Sequence, residues 1–232
     1  MPSVRLDKFI SERTEYTRSQ IKQLAAKGSV TVNGIAVKKS DTKIDPENDS
    51  VTVCGQALSE NRYRYFLVNK PEGYVCSTDE KDGEIVLNLI PPELRSKGLF
   101  PAGRLDKDST GALLITDDGE LAHRMLSPKR HISKIYIVKL DRPFESKYVN
   151  EFEKGMVLAN GDTCRSAKVK CSPDCETVAF VELTEGKYHQ VRRMMASRAM
   201  TVTYLERQQE GSLTLGDLPR GEVRELSDAE IV

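Results

Sequence analysis

The sequence predicts two domains of α+β character: a small helix–hairpin module, and a larger domain on a mixed, largely antiparallel sheet. Three observations carry this. A capped helix runs into an Asn-Gly hairpin before residue 59, a polar stretch follows at Ser59-Glu60-Asn61-Arg62, and short strands with a few helices recur beyond it without strict alternation. The expected bounds are 1–59 and 62–232.

In chain order, Thr17-Arg18-Ser19-Gln20 matches a capping box, in which Thr17 and Gln20 satisfy free amides at a helix start. Ile21, Leu24 and Ala25 give that helix one apolar face, and Gly28 is placed to end it in a left-handed conformation. Val30–Val32 and Ile35–Val37 flank Asn33-Gly34, a strong hairpin signal, and Val51–Val53 forms a third strand ending at Gly55. In the larger domain, strands are expected at Tyr65–Val68, Ala112–Thr116, Ile135–Leu140, Val178–Leu183 and Val202–Leu205. Helices are expected at Glu120–Leu126, Glu145–Lys154 with Gly155 as its stop, and Tyr188–Ser197.

Composition narrows the class. Of 232 residues, 38% are hydrophobic and 30% charged, as in ordinary globular chains. No apolar run approaches the roughly 20 residues that span a bilayer, and the N-terminus has no hydrophobic signal segment, so a cytoplasmic protein is expected. The five cysteines are widely spread, which suits a reducing compartment. The formal net charge of zero does not point to nucleic acid, but its distribution does. Six Lys/Arg face three Asp/Glu between Met1 and Val30, five Lys/Arg and no acid lie between Arg124 and Leu140, and a third cluster lies between Lys187 and Arg198. Such patches suit phosphate binding, and equally suit solvated faces.

The most informative stretch runs from Pro101 to Gly119, where Gly103-Arg104-Leu105-Asp106 and Ser109-Thr110-Gly111 lead into an apolar strand. As a calcium loop it would use Asp106, Asp108, Thr110 and Asp117, but Leu113-Leu114-Ile115 reads as buried strand within it. A polar turn ahead of a core strand is the plainer alternative. Cys164, Cys171 and Cys175 lack a Cys-x-x-Cys pair and a nearby histidine, so no metal is expected there. The three histidines are scattered and suggest no nucleophile–histidine–carboxylate set.

Gly103-Arg104-Leu105-Asp106 with Ser109-Thr110-Gly111 resembles the catalytic motif of the pseudouridine synthases. Three further segments resemble motifs of the same enzymes: Tyr65–Gly73, Ser133–Val138 with its tyrosine, and the basic Leu183–Met194. The N-terminal module resembles the small S-four-like RNA-binding domain. Domain order resembles the RsuA family, which modifies ribosomal RNA, and Tyr74–Asp79 with Ser127–His131 look most like its small-subunit (16S) branch.

This resemblance implies an isomerase that converts uridine to pseudouridine in ribosomal RNA, with 23S RNA or a non-catalytic assembly role as alternatives. The reaction is neither redox nor group exchange, so no cofactor is expected. Asp106 is the implied catalytic carboxylate, and Arg192 its cationic partner, since a nearby opposite charge favours the ionised form. A helix starting near Tyr188 would set Arg192 one turn in, on the same face as Tyr188. Tyr136 would stack on the uracil or carry protons, facing the same way as Lys134 two residues before it. Leu183 would floor the pocket. Arg104, Lys134, Lys129 and Arg130, with Arg18 and Lys22 in the small domain, are the expected RNA contacts. The partner is therefore ribosomal RNA, with no membrane, and a monomer is expected. Two departures from the family pattern stand out: Ala112, where a larger aliphatic is usual, and Gln208-Gln209-Glu210-Gly211, where basic and apolar residues are usual.

Overall fold

The first helix is one the sequence does not announce. In the computed structural model, which describes residues 3–46, 48–58 and 63–231, β1 (Val4–Arg5) runs into α1 (Leu6–Arg13) with no side-chain cap. Leu6, Phe9 and Ile10 recur at helical spacing and are buried, so packing rather than capping holds α1. α2 (Arg18–Ala26) opens on the expected capping box: the Gln20 amide donates to Thr17 Oγ1 and the Thr17 amide to Gln20 Oε1. Gly28 follows with φ 77°.

β2 (Val30–Val32) and β3 (Ile35–Ala36) form the expected hairpin, with Asn33 and Gly34 at φ 52° and 77°, as a type I′ turn demands. β4 (Lys43–Ile44) pairs with β1. β5 (Val51–Val53) pairs with β2 and turns at Cys54-Gly55 into β6 (Gln56–Ala57), which the sequence reading did not include. Ile21, Ala25, Val30, Ile44, Val51 and Val53 join the buried residues of α1 in one core. The chain divides into two units, Met1–Arg64 with Ile90–Leu99, and Tyr65–Leu89 with Phe100–Val232. The Ser59–Arg62 stretch read as a linker lies outside the described residues.

The second unit is built on one mixed sheet. Its elements are β7 (Tyr65–Lys70), β8 (Phe100–Ala102), β9 (Thr110–Thr116), α3 (Gly119–Leu126), β10 (Lys134–Leu140), α4 (Val149–Glu153), β11 (Met156–Val157), β12 (Thr163–Cys164), β13 (Lys168–Cys171), β14 (Val178–Leu183), α5 (Gln190–Ala196), β15 (Val202–Glu210), β16 (Leu213–Thr214), β17 (Val223–Glu225) and α6 (Asp228–Ile231). The strand order is β13-β14-β10-β15-β9-β7-β17, with β16 on β15, β8 on β9, and β11 paired separately with β12. All these pairs are antiparallel except β15–β9.

That parallel contact explains a glycine. Gly111 has φ 108°, and a Cβ there would collide with the Arg207 backbone. β7 and β9 are buried along their whole length, as the interior of a covered sheet requires.

Three expectations need correction. The last long strand continues to Glu210 rather than stopping at Leu205, because polar Glu206–Glu210 still pairs with β10. The 145–154 helix begins as a 3-10 turn at Ser146–Tyr148, and only Val149–Glu153 is α-helical. The 188–197 helix starts at Gln190, since His189 is left-handed (φ 46°, ψ 35°), and a left-handed residue cannot continue a right-handed helix. Tyr188 therefore does not share a helix face with Arg192. Among the described residues no helix is long and apolar enough to cross a membrane.

Candidate active site

The chain's most specific motif is held by a buried lysine. Lys70, at the end of β7, is fully buried, and its ammonium donates to the carbonyls of Ser109 (2.7 Å), Asp106 (3.0 Å), Pro71 (3.1 Å) and Lys107 (3.4 Å). Burial pulls its pKa down, while Cys76, Asp108 and Asp106 oppose that. Cys76 adds a second tie, its Sγ lying 3.3 Å from the Leu105 amide and 3.4 Å from its carbonyl. Burial pushes this thiol up, so it stays neutral. The loop between β8 and β9 thus has its backbone oxygens gathered around one cation, and its Asp106 side chain is left facing a cleft.

The cleft has a volume of about 390 Å³, at the small end of ligand pockets. Asp106, Arg104, Lys134, Tyr136, Leu183 and His189 all line it. Asp106 Oδ1 lies 3.3 Å from His189 Nε2, and Oδ2 lies 3.9 Å from Arg192 Nε. The rest of the Arg192 fork is engaged elsewhere: Nη1 donates to the Val202 carbonyl, and Nη2 contacts the Asp108 carboxylate (3.0 Å), the Asp108 carbonyl and Ser109 Oγ.

On the opposite wall, Lys134 and Tyr136 project from β10 on one face, as their spacing predicts. Lys134 pairs with Leu183 across the β10–β14 ladder, which sets Leu183 beside them in the cleft. Beneath them lies a charge cluster the sequence reading did not assign. Glu210 is 3.0 Å from Arg207 and 3.4 Å from Lys134, and Arg207 Nε donates to the Ala112 carbonyl at 2.7 Å.

Arg207 and Glu210 are three residues apart, so a regular strand would point them to opposite faces. The β10–β15 register slips by one residue between Ile135–Gln209 and Tyr136–Arg207. This bulge at Gln208 brings both side chains to the Tyr136 side. Both Glu210 carboxylate oxygens and Arg207 Nη2 are buried without an aligned hydrogen bond, so charge rather than geometry pairs them. Burial works against the Arg207 charge, but Glu210 and Tyr136 more than offset it. Burial raises the Tyr136 phenol, and Arg207 pulls against that rise. Tyr136 is therefore a neutral hydroxyl at ordinary pH.

Arg104 is exposed at the cleft, Lys129 and Arg130 are exposed on a 3-10 turn after α3 and do not line it, and Arg18 with Lys22 is exposed on α2 of the first unit. Ala112 is buried within β9. Among the described residues no three His, Cys, Asp or Glu side chains converge as a metal site, including those of the Asp106–Asp117 loop and the Cys164, Cys171 and Cys175 segment. Lys70, His189, Arg207 and Glu210 are the site residues that sequence reasoning did not assign. Lys70 lies in the Tyr65–Gly73 motif and His189 in the basic Leu183–Met194 motif, and neither was given a role there.

Chemically, the cleft offers a partly exposed carboxylate on a rigid loop with an imidazole and a guanidinium beside it, a neutral buried phenol and an apolar floor. Among the described residues that line it there is no thiol. Comparison with known proteins gives the family. The profile of the family described as RNA pseudouridylate synthase matches residues 64–197, and that of the S4 domain matches residues 4–51. The chain is 39% identical to the ribosomal small subunit pseudouridine synthase A of Escherichia coli (strain K12), covering 98% of each. It is 36% identical to an uncharacterised RNA pseudouridine synthase of Bacillus subtilis (strain 168), covering 98% of this chain and 97% of that one. A crystal structure of a pseudouridylate synthase superposes with a TM-score of 0.68 at 37% identity, covering 99% of this chain and 98% of the other.

Proposed function

The chain belongs to the RNA pseudouridine synthase family, as an isomerase with an N-terminal S4 domain, and from that premise we propose that it converts one uridine of 16S ribosomal RNA to pseudouridine with Asp106 as the catalytic carboxylate. The observation that carries this reading is the placement of Asp106, on a loop fixed by Lys70, in a cleft between His189 and Arg192 and opposite Tyr136. The choice of 16S RNA rests on the name of the Escherichia coli relative.

The reaction breaks the C1′–N1 bond, forms C1′–C5, removes the C5 hydrogen and places one on N1. A uridine must first leave its stack, at a cost of a few kcal/mol, to reach Asp106. Carboxylates act as nucleophiles or bases in glycosidic chemistry. Arg192 faces Asp106 with its Nε 3.9 Å from Oδ2, Tyr136 offers its ring and a neutral hydroxyl to the base, and Leu183 supplies the apolar floor. Lys134 and Arg104 bind the substrate strand in the cleft. Lys129 and Arg130, with Arg18 and Lys22 in the domain of residues 1–59, hold more distant phosphates, and residues 62–232 form the catalytic domain. The protein works in the cytoplasm as a monomer.

The test is pseudouridine mapping of unmodified 16S and 23S RNA, each free and in ribosomal particles, after incubation with the protein. One new site in 16S, absent with Asp106→Ala, is the expected result. A site in 23S overturns the substrate and keeps the chemistry. Tight binding with no product on any RNA points to an assembly role instead.

A further inference from the structure

We propose that His189 is a positioning residue for Asp106: it holds the carboxylate through Oδ1 and fixes the face that Oδ2 presents to the cleft. The proposal rests on the pseudouridine synthase reading and adds a residue to it. Arg192, the partner implied by sequence, does not hold Asp106 at hydrogen-bond length. Its two terminal nitrogens are committed to Val202, Asp108 and Ser109. Its Nε is buried without a hydrogen-bond partner and stands 3.9 Å from Oδ2, beyond the range of a direct bond. Among the described residues, His189 Nε2 at 3.3 Å is the nearest side-chain nitrogen in contact with the carboxylate, within bonding distance but not aligned as a hydrogen bond. Contacts of this kind lengthen in the absence of substrate and tighten when it binds.

The backbone of His189 supports the same conclusion. The residue sits at the N-cap of α5 with φ 46° and ψ 35°, and its side chain caps nothing. Ser, Thr, Asp or Asn would serve a cap better, and Gly or Asn would tolerate the left-handed conformation better. Local structure therefore favours neither the residue nor its conformation. What it gains is reach toward Asp106, and sparsely populated backbone conformations of this kind cluster at active sites.

The surroundings hold that conformation in place. The Gln190 side chain accepts from the Lys187 amide at 2.9 Å and donates to Glu185 at 2.7 Å, clamping the loop on both sides. Tyr188 stacks on the imidazole with centroids 3.9 Å apart and planes within 14°, which fixes the ring plane. Tyr188 itself is 76% exposed, so its ring is not serving a hydrophobic core. An Nε2–H bond to Oδ1, formed as the 3.3 Å contact tightens on substrate binding, holds the carboxylate toward the cleft, a constraint that neither Arg192 nor the loop backbone imposes.

The experiment compares wild type with His189→Ala and His189→Gln. Glutamine carries an N–H donor to about the reach of Nε2 and cannot titrate. Pseudouridine formation is measured on whichever ribosomal RNA wild type converts, with RNA affinity and thermal unfolding alongside. His189→Ala is expected to lower kcat on the order of 10–100-fold, the scale of a small misplacement of a reacting group, while KM and RNA affinity stay within about threefold and melting is unchanged. His189→Gln is expected to regain most of kcat, since a charge-assisted N–H donor to the carboxylate is restored. Full activity in His189→Ala overturns the proposal, as does equal impairment of both variants with a lowered melting temperature.

A second measurement does not depend on turnover. Imidazole 15N shifts of His189, assigned by their absence in His189→Gln, are expected to report an Nε2–H tautomer that is lost in Asp106→Ala. Unchanged shifts overturn the contact. Absence of product from wild type on every RNA overturns the functional reading, and the tautomer measurement then decides the contact by itself.

Discussion

Two of the carboxylates that line the cleft, Asp106 and Glu210, are each faced by two nitrogen-bearing side chains, and they occupy opposite physical regimes. Asp106 lies at the rim on a loop, 27% exposed, with His189 and Arg192 at 3.3 and 3.9 Å. Glu210 lies at the floor on a central strand, 3% exposed, with Arg207 and Lys134 at 3.0 and 3.4 Å. The ingredients match, but solvent does not. A charge at the rim can be reached by substrate, and its pairing is screened. A charge at the floor is out of water, so losing one partner leaves the other uncompensated. The difference separates a group that can act on substrate from one that shapes the wall on which substrate rests. Substitutions at the rim should therefore change turnover with little effect on stability, and those at the floor the reverse.

The largest effect is expected at the rim. Asp106→Asn keeps the shape and removes the charge and the basic oxygen. Turnover should fall by at least about 10³-fold, as when a lone nucleophile or base is deleted. The melting temperature and RNA affinity should barely move, because Lys70 holds the loop through backbone carbonyls, not through this side chain. Rapid-quench assays with calorimetry check both halves. A large loss of stability would mean that the rim is structural after all.

The floor should respond in the opposite sense. Glu210→Ala leaves Arg207 and Lys134 facing each other without an anion, and breaking a buried pair costs about 3–5 kcal/mol. Replacing both members with apolar residues of similar size, Arg207→Met with Glu210→Leu, should recover most of that loss, because buried pairs contribute little beyond mutual compensation. Denaturant unfolding of the single and double variants tests this. If Glu210→Ala melts like wild type, the floor cluster is wetter than its burial implies and the contrast with the rim collapses.

The same contrast explains what was legible in the sequence. Asp106 sits among glycines and hydroxyls that mark a loop ahead of an apolar strand; that pattern fits a plain polar turn as well, and family likeness singled the residue out. The shared face of Tyr136 and Lys134 followed from strand spacing, and the Thr17–Gln20 box and the Asn33-Gly34 turn from local chemistry. The floor was not legible for a geometric reason. Period-two reasoning sends Arg207 and Glu210 to opposite faces, and only the bulge at Gln208 brings them together. The polar run from Glu206 to Glu210 also looked like the end of a strand rather than its continuation. His189 was hidden because its left-handed backbone breaks the helix the pattern suggested. α1 was hidden because it carries no cap. Lys70 was given no role because a cage of four carbonyls has no signature along the chain.

A smaller effect should appear with pH. Tyr136 is held above its ordinary pKa, chiefly by burial. A phenol whose folded value exceeds its unfolded value of about 10 stabilises the fold fully below that pH, and the contribution is lost as pH rises through the folded value. Wild type should therefore lose stability in the alkaline range more steeply than Tyr136→Phe. Tyr65 and Tyr204 are also raised by burial, and their contribution is common to both proteins. Urea unfolding across that range checks the difference, and parallel curves would mean that Tyr136 is open to water.

The smallest effect is expected at the outer edge of the rim. Asp108 is 67% exposed and lies 3.0 Å from Arg192 Nη2. An exposed ion pair contributes about 0–1 kcal/mol, and Arg192 keeps its bonds to Val202, Ser109 and the Asp108 carbonyl without this carboxylate. Asp108→Asn should therefore leave stability within that margin and turnover within about threefold. Its more telling consequence is electrostatic. The carboxylate stands beside a cleft meant for RNA and neutralises a cation there, so removing it should tighten RNA binding by about twofold at low salt and leave binding unchanged near 1 M, where the screening length falls to roughly 3 Å. Titration of RNA affinity at both ionic strengths reads this directly. A gain that survives high salt would mean that Asp108 obstructs RNA by shape, and that the rim is narrower and drier than its exposure indicates.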